Sequence, residues 1–112
     1  MKKTAISALA AGFAMIGAAL AAECALEAQP PAMPDPKTAT AEDRSATIAA
    51  IKDYQGALGE YRACLDAISG NEELEVEVRQ QAVKDFNDTV EAETKLVENW
   101  QKFDKKYQKA NK

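Results

Sequence analysis

The chain has 112 residues, no histidine and a formal charge of -4, with 14 basic against 18 acidic residues. Its length allows one small domain, and an acidic chain without a basic patch argues against nucleic acid as a partner. The missing histidine removes the commonest acid-base catalyst and the usual zinc ligand.

Residues 1–22 read as a secretory signal peptide. Lys2 and Lys3 form the positive start, an Ala-rich apolar run follows from Thr4 to about Ala18, and Ala19-Leu20-Ala21 supplies small residues for cleavage after Ala21 or Ala22. The run is shorter than the ~20 residues that span a bilayer. Lipoprotein processing is disfavoured because Glu23 stands before Cys24, where a small residue is needed. The expected location is a bacterial periplasm. The sequon Asn87-Asp88-Thr89 is read as chance in that setting. Removal of the two lysines takes the formal charge from -4 to about -6.

Residues 23–39 form an arm in which Pro30, Pro31, Pro34 and Pro36 forbid a helix and favour an extended run. Pro31-Ala32-Met33-Pro34 fits a PxxP pattern, which here reads as a rigid spacer. Cys24 and Cys64 are the only cysteines. In an oxidising compartment a disulfide is expected. An intramolecular bond requires the arm to run back along the first helix, which its length permits; an intermolecular bond is the alternative.

Residues 40–112 carry two helical patterns. Thr40 suits an N-cap, with Glu42 and Asp43 in the first turn and Asp43 at the capping-box position. A helix is expected over about 41–69. Ile51, Leu58 and Leu65 repeat every seven residues, with Tyr54, Tyr61 and Ile68 three places on and Ile48 widening the seam. Gly56 and Gly59 weaken this helix and suggest a close approach by another backbone. Ser69-Gly70-Asn71 reads as the break, with Gly70 in the left-handed C′ position and Asn71 capping a second helix over about 72–109.

Val76, Val83, Val90 and Val97 make the heptad row of the second helix, with Phe86 and Trp100 in the neighbouring row. An all-valine row is not what helix propensity selects, so packing must favour it. Counting outward from Gly70 pairs Leu65 with Val76, Leu58 with Val83 and Ile51 with Val90. The fold class is therefore all-α, an antiparallel, coiled-coil-like two-helix hairpin with a Pro-rich extended N-terminal arm. The glutamates of the second helix's first turns, Glu72 to Glu77, lack calcium-loop spacing and read as dipole partners.

The same counting leaves about ten residues of the second helix beyond the first. This overhang carries Trp100, Phe103 and Tyr107 among Lys102, Lys105, Lys106 and Lys109. Two readings compete. Either the arm folds over the aromatics, or Trp100, Phe103, Tyr107, Lys102 and Lys106 form a partner-binding surface for a second copy, a partner helix or an anionic membrane face.

No phosphate loop, activated nucleophile or cofactor motif is present, and neither an enzyme, a cofactor nor a small-molecule substrate is expected. The expected role is an exported, non-enzymatic interaction or structural module that binds a protein partner or itself. The alternatives are a holdase-like periplasmic chaperone and a cell-wall or membrane-associated spacer, the last suggested by the Lys-ended tail. Cys24, the prolines from Pro30 to Pro36 and the element Tyr61-Arg62-Ala63-Cys64-Leu65 together resemble small secreted proteins of Gram-negative bacteria. The resemblance covers about the first half of the chain beyond the signal and implies no activity.

Overall fold

The computed structural model describes residues 24–112. The expected signal peptide, residues 1–22, lies outside the described residues. The chain forms an extended arm followed by two helices, α1 (Ala41–Ser69) and α2 (Val76–Ala110), packed side by side as a hairpin.

α1 starts where the residue chemistry demands. Thr40 holds an extended backbone, its hydroxyl accepts from the Asp43 N–H at 3.0 Å, and the Asp43 carboxylate accepts from the Thr40 N–H at 2.9 Å. Two donors that a helix start leaves without partners are thereby satisfied. Thr47 is buried because its hydroxyl turns back to donate to the Asp43 carbonyl at 2.8 Å.

The break differs from expectation. Gly70 sits at φ -88°, not in the left-handed region, so its backbone does not require glycine. Asn71 caps a turn instead of a helix: its side chain accepts from the Glu73 N–H and its carbonyl from the Leu74 N–H. α2 begins only at Val76, with Glu75 as an N-cap that makes no side-chain bond. The reason lies in Leu74, which packs into the core around Cys24, Leu65, Ile68 and Ala82. Turning Leu74 inward uses the residues that a tight connection would have given to the helix.

That longer connection moves the register by about a heptad. Arg62 meets Thr89 and Glu93, Gln55 meets Glu93, and Arg44 meets Asp104. Leu65 packs with Ala82, and Tyr54 and Leu58 with Leu96. The expected pairings of Leu65 with Val76 and Leu58 with Val83 are not formed.

The expected face of α1 is present: Tyr54, Leu58, Leu65 and Ile68 are buried. The expected face of α2 is not. Val76, Val83, Val90 and Val97 are 53%, 49%, 46% and 38% exposed, and the buried row is Ala82, Thr89, Leu96 and Phe103. The two rows are one residue apart, a rotation of roughly 100° on a 3.6-residue helix. Both orientations keep the row of Phe86, Glu93 and Trp100 beside α1. Rotation toward Leu96 and Phe103 buries a large aromatic and a leucine in place of two valines, and a buried aromatic contributes more area.

The arm settles the choice. Cys24 joins Cys64 in a disulfide, with Cα atoms 5.6 Å apart. From there the arm runs back along the hairpin, and Leu26, Ala28 and Met33 pack against Tyr54, Leu58 and Leu96. Leu26 also lies beside Asp88, Thr89 and Ala92 of α2. The arm is thus a third packing layer, and it demands short or apolar side chains on the side of α2 opposite the valines. At its end Asp35 accepts from the N–H groups of Lys37, Thr38 and Ala39, turning the chain into α1. Leu58, beneath the arm, is fully buried, worth roughly 1.5–3 kcal/mol for a leucine.

Candidate interaction surface

The aromatic end of α2 is closed over by its own chain. Trp100, Phe103 and Tyr107 succeed one another along α2 with ring centres 5.5 and 5.8 Å apart. Phe103 is only 3% exposed, so it lies in the core of the chain. The expected overhang is absent, because the register shift sets Arg44 level with Asp104. The Arg44 guanidinium lies over Trp100 at 5.2 Å and over Tyr107 at 5.7 Å, and its Nε donates to Asp104 at 2.8 Å. Trp100 and Tyr107 are half-buried under it, while Lys102 and Lys106 stay exposed. The turn of the arm, Asp35 to Lys37, lies beside Lys106 and Lys109. Of the five expected partner-binding residues, the lysines alone are fully exposed; Cys24 and Cys64 are joined as expected.

The Arg44 charge is met within the chain. The hydrogen bond from Arg44 holds the Asp104 carboxyl below its ordinary value, against a smaller opposing effect of desolvation. The same bond raises the Arg44 guanidinium. Such charge-assisted, cation-π geometry ties α1 to α2 where the hairpin is open.

A second arginine serves the middle of the hairpin. Arg62 donates to the Thr89 hydroxyl at 2.7 Å and the Thr89 carbonyl at 3.0 Å, and pairs with Glu93 at 2.8 Å. Its guanidinium also lies over the Phe86 ring at 5.9 Å. Arg79 donates to the Ser69 carbonyl at 3.2 Å, supplying α1 with the cation its last turn lacks. Burial, aided by Asp85 and Asp88, pushes the Tyr61 hydroxyl up. Arg44, Arg62 and Arg79 each tie α1 to α2.

The two faces of the hairpin differ. The arm fills one. On the other, Phe86, Val90, Glu93 and Val97 border an open groove of about 510 Å³ beside Arg62. The valine row continues along its edge for the length of α2 from Val76 to Val97. Four places after each valine comes an uncharged polar residue, Gln80, Asn87, Thr94 and Gln101, all exposed. Charged side chains return one position further round, at Glu77, Lys84, Glu91 and Glu98. An exposed strip about 30 Å long is therefore apolar or uncharged, with charge at its rim, using the standard helical rise.

Gly56 and Gly59 of α1 are exposed, and an added Cβ at either would meet nothing within 4 Å. The expected close approach of another backbone is absent there. Among the described residues no helix is long and apolar enough to cross a membrane, and no group of His, Cys, Asp or Glu side chains is placed to hold a metal. No known family model, curated protein or solved structure matches the chain.

The heptad places the valines in the core, whereas the structure leaves them on the surface. One signal was available. β-Branched residues gain little from a helix, so a periodic valine row needs a packing partner, and nothing obliged that partner to be α1.

Proposed function

We propose that the protein is an exported, non-enzymatic helical interaction module of the bacterial envelope. The observation that carries this reading is the uncovered valine row on α2. Small soluble domains rarely leave four large apolar side chains in one straight row, and continuous apolar strips mark association surfaces. The strip is depleted of charge at its centre and charged at its rim, the composition of an interface core.

The surrounding construction supports the same role. The disulfide and three arginine contacts fix the backbone of both helices, so the strip is presented rigidly. A holdase that accepts many clients benefits from flexible, Met-rich or loop-rich surfaces, whereas this row is β-branched and stiff. A single structured partner fits it better. The disulfide also accords with an oxidising compartment, where the expected signal peptide would deliver the chain.

The test is site-specific photo-crosslinking from position 83 and from position 97 in a Gram-negative host, followed by fractionation. One or two discrete adducts from the periplasmic fraction are expected. A broad spectrum of adducts favours a holdase, muropeptide-linked material favours a wall spacer, and an absence of adducts from both positions overturns the reading.

A further inference from the structure

Resting on that reading of the strip, we infer that its occupant is a second copy of this chain, docked antiparallel through α2. The argument begins with the heptad. Val76, Val83, Val90 and Val97 take one core position of a coiled-coil repeat, and Gln80, Asn87, Thr94 and Gln101 take the other. A strict seven-residue repeat over this length matches a partner that is itself a long straight helix. α2 is the longer helix of this chain, 35 residues, and it carries such a strip.

The direction follows from which side chains must share a layer. In a parallel pair each valine meets its own copy, and each uncharged polar residue meets another polar residue, giving alternate dry and polar layers. In an antiparallel pair the two core positions alternate across the interface. Gln80 then lies against Val97 of the second copy, Asn87 against Val90, Thr94 against Val83 and Gln101 against Val76. Every layer receives one valine, so all four polar side chains sit beside an apolar neighbour with their amide or hydroxyl ends free to reach the rim.

Charge selects the same direction. The start of α2 and the turn before it carry Glu72, Glu73, Glu75 and Glu77; its last turns carry Lys102, Lys105, Lys106 and Lys109. A parallel pair stacks acid on acid and base on base. The antiparallel pair lays Glu72, Glu73 and Glu75 along the lysine end of the other copy and sets Lys84 beside Glu91 of the second copy on both sides of the symmetry axis, against one like-charged pair, Glu77 beside Glu98, at each end of the strip. Closed twofold symmetry consumes the strip completely and leaves no second strip to propagate a fibre.

The geometry of the monomer leaves room. The arm lies against the side of α2 carrying Asp88 and Ala92, opposite the valines. The second copy approaches from the open-groove side, so docking displaces neither the arm nor α1.

The oxidised protein, purified after export, is measured by sedimentation equilibrium from micromolar to millimolar concentration. The expected species has twice the chain mass, and the variant Val83→Lys with Val90→Lys runs at the monomer mass with unchanged helicity. Orientation is read by mixing Gln80→Cys protein with Val97→Cys protein under mild oxidation. The antiparallel pair gives the mixed crosslink, whereas a parallel pair separates these positions by about 26 Å at the helical rise and cannot. A monomer at all concentrations, a dimer indifferent to the two lysines, or crosslinks formed only between identical Gln80→Cys chains overturns the inference. A monomer that still gives a discrete heterologous adduct from position 83 overturns self-docking alone and leaves the interaction-module reading standing.

Discussion

Both faces of the hairpin carry apolar side chains and use them differently. Beneath the arm, Tyr54, Leu58 and Leu96 are sealed by Leu26, Ala28 and Met33. On the opposite side Val83, Val90 and Val97 remain open. The difference teaches that an apolar row on a helix specifies burial against something, and that the something is decided by the other segments of the chain. Here an extended, proline-bearing arm packs over Leu96, a residue of α2 outside the heptad rows that two-helix counting placed against α1.

The largest expected effect breaks the covered face. Leu58→Asp places a charge at a fully buried site lined by apolar side chains, and loss of more than about 4 kcal/mol is expected, enough to abolish cooperative melting of so small a domain. Far-UV circular dichroism against temperature checks it. Equal melts for Leu58→Asp and Val83→Asp, both at micromolar concentration, would show that the two faces do not differ.

Next comes the strap. Cys24 and Cys64 are 40 residues apart, and closing a loop of that size stabilises by about 4 kcal/mol in the chain-entropy model. Cys24→Ser with Cys64→Ser should lower the denaturant midpoint accordingly and raise hydrogen exchange first at the backbone amides of residues 25–34. Exchange rising instead at α2, with the arm unchanged, would mean the arm holds its place without the bond.

A smaller effect is expected where α1 meets the end of α2, and it depends on pH. Asp104 is held below its ordinary value of 3.8 in the folded chain, so its contribution is complete above that value and is lost as pH falls through the lower folded value. Asp104→Asn should therefore lower the melting temperature at pH 7, and the gap from the native chain should begin to narrow below about pH 4 and go on narrowing as pH falls. A gap of constant size from pH 7 down to pH 2 would trace the loss to shape and not to charge.

The least disruptive changes sharpen the comparison from outside. Gly56→Ala and Gly59→Ala meet no neighbour, and each should stabilise α1 by about 0.5–1 kcal/mol. Val83→Lys should cost the isolated chain less than about 0.5 kcal/mol, since it changes only exposed surface. Differential scanning calorimetry on dilute protein measures both.

Much of the fold is legible in the residues. Thr40 and Asp43 announce the start of α1, the prolines announce the arm, and the α1 row of Leu58 and Leu65 is buried as its period demands. The disulfide is legible because only two cysteines exist. The phase of α2 was not, for a physical reason. Val76 to Val97 and Ala82 to Phe103 are rows of equal period one residue apart, and periodicity alone cannot rank them. The ranking came from Leu74, which lengthened the turn and shifted the register, and from the arm, which acted as a third packing element. Neither leaves a periodic trace. The aromatic end is illegible for the same reason: a shift of about one heptad in register is the difference between an overhang and a ring under Arg44.

The strap also bears on the order in which the molecule can be made. Its closed loop contains the arm and α1 as far as Cys64, and no residue of α2. A chain that emerges from its N-terminus has both sulfurs available while the last 48 residues, 65–112, have yet to appear. An oxidant acting at that moment can fix the arm alongside α1 as a cradle, and α2 then arrives to find one side of its docking site already walled. Bond formation before synthesis is complete would thus decide in advance which row of the late-arriving helix turns inward, and which is left for the outside.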